Sequence, residues 1–283
     1  MPELPEVETL RRELERALVG RVFRSVKVSW PKTITPLTVT EFSRRLKNQK
    51  IESVERRAKI LFLDLTNGES LAIHLKMTGQ LIFQPGHGKI IGGGQPQSNP
   101  FQYTRVVFNF TDDSRLFFND LRKFGWLRLL PAQDKKILAA RHGIEPLSPK
   151  FNLKTLAAIL QRYPERKLKQ ILLDQTLIAG LGNIYVDESC FAAGLGPARR
   201  LKTLRLAEIE KLRRAIKKIL RLAVAKGGTS ARDYRRSDGS RGGFVPYLKV
   251  YGHGGQPCRK CGRSVKKIRL ASRGTHFCSR CQK

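Results

Sequence analysis

Acidic residues are scarce in this chain. Asp and Glu total 23 of 283 residues against 55 Lys and Arg, leaving a formal charge of +32 and an isoelectric point near 10.7. A chain this positive attracts a polyanion, most commonly nucleic acid. No apolar run approaches the ~18 residues of a membrane-spanning helix, and no concentrated basic amphipathic anchor replaces one. The first residues are acidic and amphipathic, unlike a secretory signal. Cysteine is rare too, five in all, four of them in the last 26 residues. That spacing excludes a disulfide-dense secreted scaffold. A reducing, cytoplasmic location near the nucleoid and a monomeric state are expected. No internal repeat is visible, so a solenoid is excluded. The apolar content of 40% excludes a disordered chain. The length leaves room for two ordinary domains.

What is present changes character along the chain. Residues 4–18 place Val7, Leu10, Leu14 and Leu18 at helical spacing, with Pro5 opening the helix and Gly20 closing it. From Val22 to Leu130 the pattern becomes that of strands, at 22–28, 60–65, 71–75, 104–110 and 115–119. The last two form a hairpin across Thr111-Asp112-Asp113-Ser114. Short strands at regular spacing suggest a β-sandwich. The Gly- and Pro-rich stretch 86–100 reads as a mobile loop. Past about residue 141, helices are expected over 153–162, 167–176, 183–193 and 203–226, the last stopped by Gly227-Gly228. The fold class is thus α+β, with a leading helix and sandwich over 1–135, a linker over 136–152, a helical region over 153–228, a loop region over 229–257 and a small module over 258–283.

That last module carries Cys258-x2-Cys261 and Cys278-x2-Cys281, separated by sixteen residues. The spacing matches a zinc ribbon, and four thiolates close a tetrahedral site, so one structural zinc is expected. Two unrelated thiol pairs or a disulfide pair would be the alternative. Val265 to Leu270 and Thr275 to Phe277 read as a hairpin with Arg273-Gly274 at its tip, a shape suited to a DNA groove or simply a solvated basic module. Cys190, in an apolar helical stretch, reads as a buried small hydrophobe.

The N-terminus offers chemistry. Met1 precedes Pro2, a small residue compatible with removal of the initiator methionine. A mature chain would then begin with a secondary amine followed at once by Glu3. An α-amine titrates near pH ~8, so much of it is nucleophilic at neutral pH. Attack on a sugar or carbonyl carbon would give an iminium, the start of Schiff-base chemistry. The plainer alternative is a tolerated terminal proline ahead of a helix.

Six segments occur in an order that resembles bacterial formamidopyrimidine-DNA glycosylases. They are Pro2-Glu3-Leu4-Pro5-Glu6-Val7-Glu8, Arg57-Ala58-Lys59, His74-Leu75-Lys76-Met77, Asp120-Leu121-Arg122-Lys123-Phe124-Gly125, Gly180-Leu181-Gly182-Asn183-Ile184-Tyr185 and Arg273-Gly274-Thr275-His276-Phe277-Cys278. With the cysteines, the resemblance spans residues 2–281. It implies a bifunctional glycosylase and abasic-site lyase of base excision repair. Such an enzyme flips oxidised purines (8-oxoguanine, formamidopyrimidines) out of duplex DNA and cuts the strand by β,δ-elimination. It implies Pro2 as nucleophile, Glu3 as the acid at the sugar ring oxygen, Glu6 as a supporting carboxylate, Lys59 in β-elimination and Arg273 at the lesion phosphate. Met77, Arg122 and Phe124 would fill the void left by the flipped base. His74, Tyr103, Lys169 and Asn183 would touch the DNA. Asn183 would do so from the helix start of a helix–two-turn–helix element, where backbone amides face phosphate.

Two departures stand out. Gln102-Tyr103-Thr104-Arg105 lies where many family members carry Lys-His-x-His, and the insertion at 86–100 is longer than usual. The stretch 237–244 lies where the family keeps a mobile lesion-capping loop. An endonuclease VIII-like enzyme for oxidised pyrimidines and a non-catalytic damaged-DNA-binding protein are the competing readings. The first usually begins Pro-Glu-Gly-Pro-Glu and lacks Arg-Lys-Phe-Gly; the second has no need of Pro2, Glu3, Lys59 and Arg273 together.

Overall fold

The computed structural model describes residues 1–86, 102–230 and 233–283. The stretch 87–101, which holds most of the expected loop, lies outside the described residues. The chain divides into two compact units. One comprises Met1–Ala140 with Lys226–Gly243, the other Arg141–Ala225 with Phe244–Lys283.

The first unit begins with α1 (Leu4–Leu18), whose buried face is Val7, Leu10, Leu14 and Leu18 as the period requires. Each leucine so buried contributes about 1.5–3 kcal/mol relative to exposure. Gly20 follows at φ +87°, a left-handed position where glycine carries no Cβ penalty. Strand β1 (Phe23–Val28), a 3-10 turn at Pro31–Ile34 and helix α2 (Val39–Leu46) come next. Then follow β2 (Ile51–Arg57), β3 (Ile60–Leu65), β4 (Glu69–His74), β5 (Gly79–Gln84), β6 (Thr104–Phe110), β7 (Arg115–Asp120), β8 (Trp126–Pro131) and α3 (Ala132–Ala140).

The strands form two antiparallel four-stranded sheets, ordered β1-β6-β7-β5 and β2-β3-β4-β8. The β6–β7 hairpin turns at 111–114 as expected, with Phe110 N–H donating to the Ser114 carbonyl at 3.0 Å. Inward residues of both sheets share one core with α1, including Phe23, Leu61, Leu63, Ile73, Phe108 and Phe118. This is the sandwich that the strand spacing suggested.

The second unit holds α4 (Leu153–Gln161), α5 (Leu168–Leu173), α6 (Asn183–Ala193) and α7 (Leu206–Ala225), then a hairpin of β9 (Lys266–Leu270) and β10 (Arg273–Phe277). Helix α7 buries Ile209, Leu212, Ile216, Leu220 and Ala223. The hairpin tip differs from expectation. Arg273 pairs with Leu270 as the first residue of β10, and the turn is Ala271-Ser272, at φ +51° and +57°. Two positive-φ residues make the primed type of turn that matches strand twist, which places Arg273 beside the tip rather than on it. Cys190 is fully buried, and burial pushes its thiol up, away from reactivity.

Phe108 sits at the centre of the sandwich, 5.7 Å from the Phe23 ring and 6.5 Å from Phe42. Phe108→Ala is expected to destabilise the first unit by about 3–5 kcal/mol. Urea unfolding followed by tryptophan fluorescence checks this selectively, because Trp30 and Trp126, the only tryptophans in the chain, both lie in that unit.

Candidate active site

The start of α1 is organised by two carboxylates. Glu3 is its N-cap, in extended conformation, and forms a reciprocal capping box with Glu6. Glu6 Oε2 accepts from the Glu3 backbone N–H at 2.8 Å, and Glu6 Oε1 accepts from the Thr229 N–H at 2.7 Å. The Tyr234 hydroxyl donates to the Glu6 carbonyl at 3.3 Å. Gly228 permits this approach: at φ +80°, a Cβ there would lie 2.9 Å from Glu6 Oε1. Pro2 is buried at this end of the chain.

Lys59 reaches the same place from a hairpin. Arg57 pairs with Ile60, so Ala58 and Lys59 form a two-residue turn, with Ala58 at φ +54°. A non-glycine residue in the left-handed region stores strain, a feature found at functional sites. Arg56 ties the turn to α1, donating to Glu8 Oε2 at 2.9 Å and to the Ala58 carbonyl at 2.9 Å. Burial opposes ionisation of Glu8, but the Arg56 and Arg12 guanidinium groups win and hold its carboxyl below the usual range. Glu3, Glu6 and Lys59 are only 3%, 1% and 5% exposed. With Met1 in place the terminal amine is that of Met1; burial holds it below its ordinary value and Lys59 pushes the same way, while Glu3, Glu6 and Asp233 pull it up. The chain terminus with buried Pro2, two carboxylates and a lysine thus share one corner of the first unit. That set can support a nucleophile, a proton donor and a base.

A second group in this unit is organised by Asp120, a residue to which the sequence reading gave no role. Its side chain accepts from the Thr78 hydroxyl, from Arg122 N–H at 3.2 Å and from Gly125 N–H at 2.7 Å. The loop so held presents Arg122, whose guanidinium lies 4.8 Å from the Phe124 ring, and Lys123, whose ammonium lies 4.0 Å from the Trp30 ring. Phe124, Leu121 and Met77 are 55%, 49% and 37% exposed. Apolar side chains left open on so charged a protein mark an interaction surface. Tyr103 adjoins the loop, its carbonyl accepting from Asp120 N–H at 2.9 Å. His74 is half-buried, with Nδ1 accepting from Lys76 N–H at 2.9 Å and the ring 5.5 Å from Trp126.

In the second unit, Gly182 caps α6 and Asn183 is its first residue. Gln175 folds the preceding loop, donating to the Leu181 carbonyl at 2.7 Å and accepting from Gly180 N–H at 2.9 Å. Asn183 Nδ2 donates to the Gly274 carbonyl at 2.8 Å, which joins the helix start to the hairpin that bears the exposed Arg273. Lys169 has internal partners: its ammonium donates to Asp187 Oδ1 at 2.6 Å and to the Gly274 carbonyl at 3.3 Å. Lys169 and Asp187 are fully buried, and Asp187 Oδ2 also accepts from His276 N–H at 2.9 Å. The sequence reading gave Lys169 to DNA contact; it is instead fully buried against Asp187, eighteen residues away and beyond any helical spacing, so it does not itself face solvent.

The four cysteine sulfurs lie within 4.8 Å of one another, with Cys258 to Cys281 at 4.0 Å and Cys261 to Cys278 at 3.5 Å. Zinc–thiolate bonds of about 2.3 Å in a tetrahedron need sulfur separations of that size. Cys258, Cys261, Cys278 and Cys281 therefore fit one zinc ion, with no open position for substrate.

Comparison with known proteins agrees along the whole chain. Residues 1–127 match the formamidopyrimidine-DNA glycosylase N-terminal domain, 142–235 the H2TH domain of the same enzymes, and 255–283 a zinc finger found in FPG and IleRS. A formamidopyrimidine-DNA glycosylase of Desulfitobacterium hafniense is 41% identical over 286 residues, covering 100% of both chains. A crystal structure of a Lactococcus lactis FPG mutant in complex with Fapy-dG-containing DNA has a TM-score of 0.87, with 34% identity and 100% coverage of both. The FPG protein of Thermus thermophilus has a TM-score of 0.85, with 38% identity, covering 99% of this chain and 98% of that one.

The buried pair yields a test. Lys169→Met strands the Asp187 carboxylate without its cation and is expected to cost about 3–5 kcal/mol, whereas adding Asp187→Leu removes the stranded charge and recovers much of that loss. Thermal melts by circular dichroism distinguish the two. Equal melting of the single and double variants would count against the pair.

Proposed function

This chain belongs to the formamidopyrimidine-DNA glycosylase family, and we propose that it is a bifunctional glycosylase and abasic-site lyase acting on oxidised purines in duplex DNA. The observation that carries the reading is the corner of Glu3, Glu6 and Lys59, buried beside the chain end that bears Pro2. Charged groups are not buried together without a use or a partner.

In the proposed reaction, removal of Met1 frees the Pro2 secondary amine. Its lone pair forms a bond to C1′ of the damaged nucleotide. The bond from C1′ to the base breaks, its electron pair leaves with the base, and the base takes up the proton that the Pro2 nitrogen loses. Glu3 donates a proton to the sugar ring oxygen as the ring opens, giving an iminium between Pro2 and C1′. The iminium acidifies the C2′ hydrogens; Lys59 takes part in proton removal, and the 3′-phosphate leaves. A further elimination expels the 5′-phosphate, assisted by the Arg273 guanidinium, whose planar fork suits a phosphate. Glu6 supports the site by fixing the Glu3 backbone.

Met77, Arg122 and Phe124 are assigned to the space vacated by the flipped nucleotide, where exposed apolar groups and a guanidinium can stack and pair. His74, Tyr103 and Asn183 are assigned to DNA contact. Lys169 is assigned to the same task indirectly, through Gly274 and Asn183. One zinc, held by the four cysteines, supplies structural closure of the basic hairpin. Lactococcus lactis neighbours in complex with Fapy-dG or abasic-site DNA support the substrate class, while another is in complex with DNA containing an oxidised pyrimidine. The working form is taken to be a cytoplasmic monomer.

Cleavage assays on matched duplexes test this. The protein is expected to release 8-oxoguanine and cut the strand, with a clear preference over thymine glycol. Lys59→Met is expected to slow the reaction by on the order of 10²-fold or more. Preference for thymine glycol would instead favour the endonuclease VIII-like reading, and tight binding without cleavage a damage-binding protein.

A further inference from the structure

Two of the scarce acidic residues lie on one face of α1, seven positions apart, or about 10.5 Å along the axis. Glu6 holds the returning chain at Thr229. Glu13 holds it again further on. Its Oε1 accepts from the Arg236 guanidinium at 2.6 Å, and its Oε2 accepts from both the backbone N–H and the hydroxyl of Ser237 at 2.9 Å. The Glu13 side chain is only 16% exposed. Between the two anchors the Tyr234 ring enters the sandwich core, and the Ser237 carbonyl accepts from Phe83 N–H at 2.8 Å. The turn closes on itself beyond, Arg236 N–H donating to the Ser240 carbonyl at 3.0 Å.

Gly228, Thr229 and Tyr234 stand against the first turn of α1 at Glu6, and Asp233 is near the chain terminus, where it acts on the Met1 amine one residue before Pro2. A base attached to the sugar carbon that Pro2 attacks must occupy space bordering the Pro2 nitrogen. An abasic sugar has no base to place there. We propose that Glu13 is a positioning residue that fixes this wall, and so sets how well a damaged base is excised relative to cutting at an abasic site. The inference rests on the proposed glycosylase and lyase reading.

Full-length, zinc-loaded wild type, Glu13→Ala and Glu13→Gln are compared in single-turnover reactions on an 8-oxoguanine duplex and on the same duplex with an abasic site. Glu13→Ala, which loses all three bonds, is expected to slow base excision about ten-fold or more and abasic cleavage by no more than about two-fold, the first corresponding to one lost decade of transition-state stabilisation. Glu13→Gln keeps an oxygen for Ser237 and is expected to fall between. Equal slowing on both duplexes, in both variants, would reduce Glu13 to a general stabiliser and overturn the proposal. An unchanged ratio with active wild type overturns it as well. Wild type that cuts neither duplex overturns the functional reading, and this inference with it.

Discussion

Burying a carboxyl group is costly unless its oxygens are hydrogen-bonded. Glu6 meets that condition with two backbone N–H groups, one from Glu3 and one from Thr229. The rest of the candidate site depends on this arrangement. The first bond fixes the backbone that carries Glu3 and places Pro2 at the start of the helix. The second brings back a segment more than two hundred residues later in the chain. Had Glu6 been an ordinary first-turn residue, its helix-dipole benefit would have been a few tenths of a kcal/mol to about one. Here it is the point at which sequence-distant backbone is made one structure.

The same economy recurs in the second unit. Its buried Lys169 and Asp187 are costly to desolvate and are retained with further bonds to Gly274 and His276. Such a pair is weak as a source of stability but strong as a device for register. It sets the hairpin against α5 and α6, while the zinc site closes the hairpin's other end. In a chain with a charge of +32, acidic groups are few, and Glu6, Glu8, Asp120 and Asp187 are all spent on positioning.

Much of this was legible in sequence, for physical reasons that can be named. Helix α1 announces itself because one apolar face meets one core. The cysteine spacing is legible because a single ion imposes it. Strand β2 was not read: a bulge between Ile51 and Ser53 puts its buried residues, Ile51 and Val54, three apart and erases the period of two. Strand β5 opens on Gly79, where a Cβ would lie 2.4 Å from the Leu75 carbonyl, a requirement invisible to hydrophobic patterning. Asp120, Gln175 and Asp187 went without a role because their partners are backbone groups or distant side chains. The return of 226–243 to the first unit leaves no local mark. Arg273 was placed one step too far toward the tip because positive-φ turns at Ala and Ser lack the usual Asn or Gly signal.

The central claim is that the chain's own terminal proline is the nucleophile. Borohydride reduction during reaction with an 8-oxoguanine duplex, on protein whose intact mass verifies the loss of Met1, tests it most directly. The account predicts a covalent protein–DNA adduct that maps to Pro2. Zinc-loaded, Met1-free protein that gives no adduct, or an adduct that maps to Lys59, would contradict it.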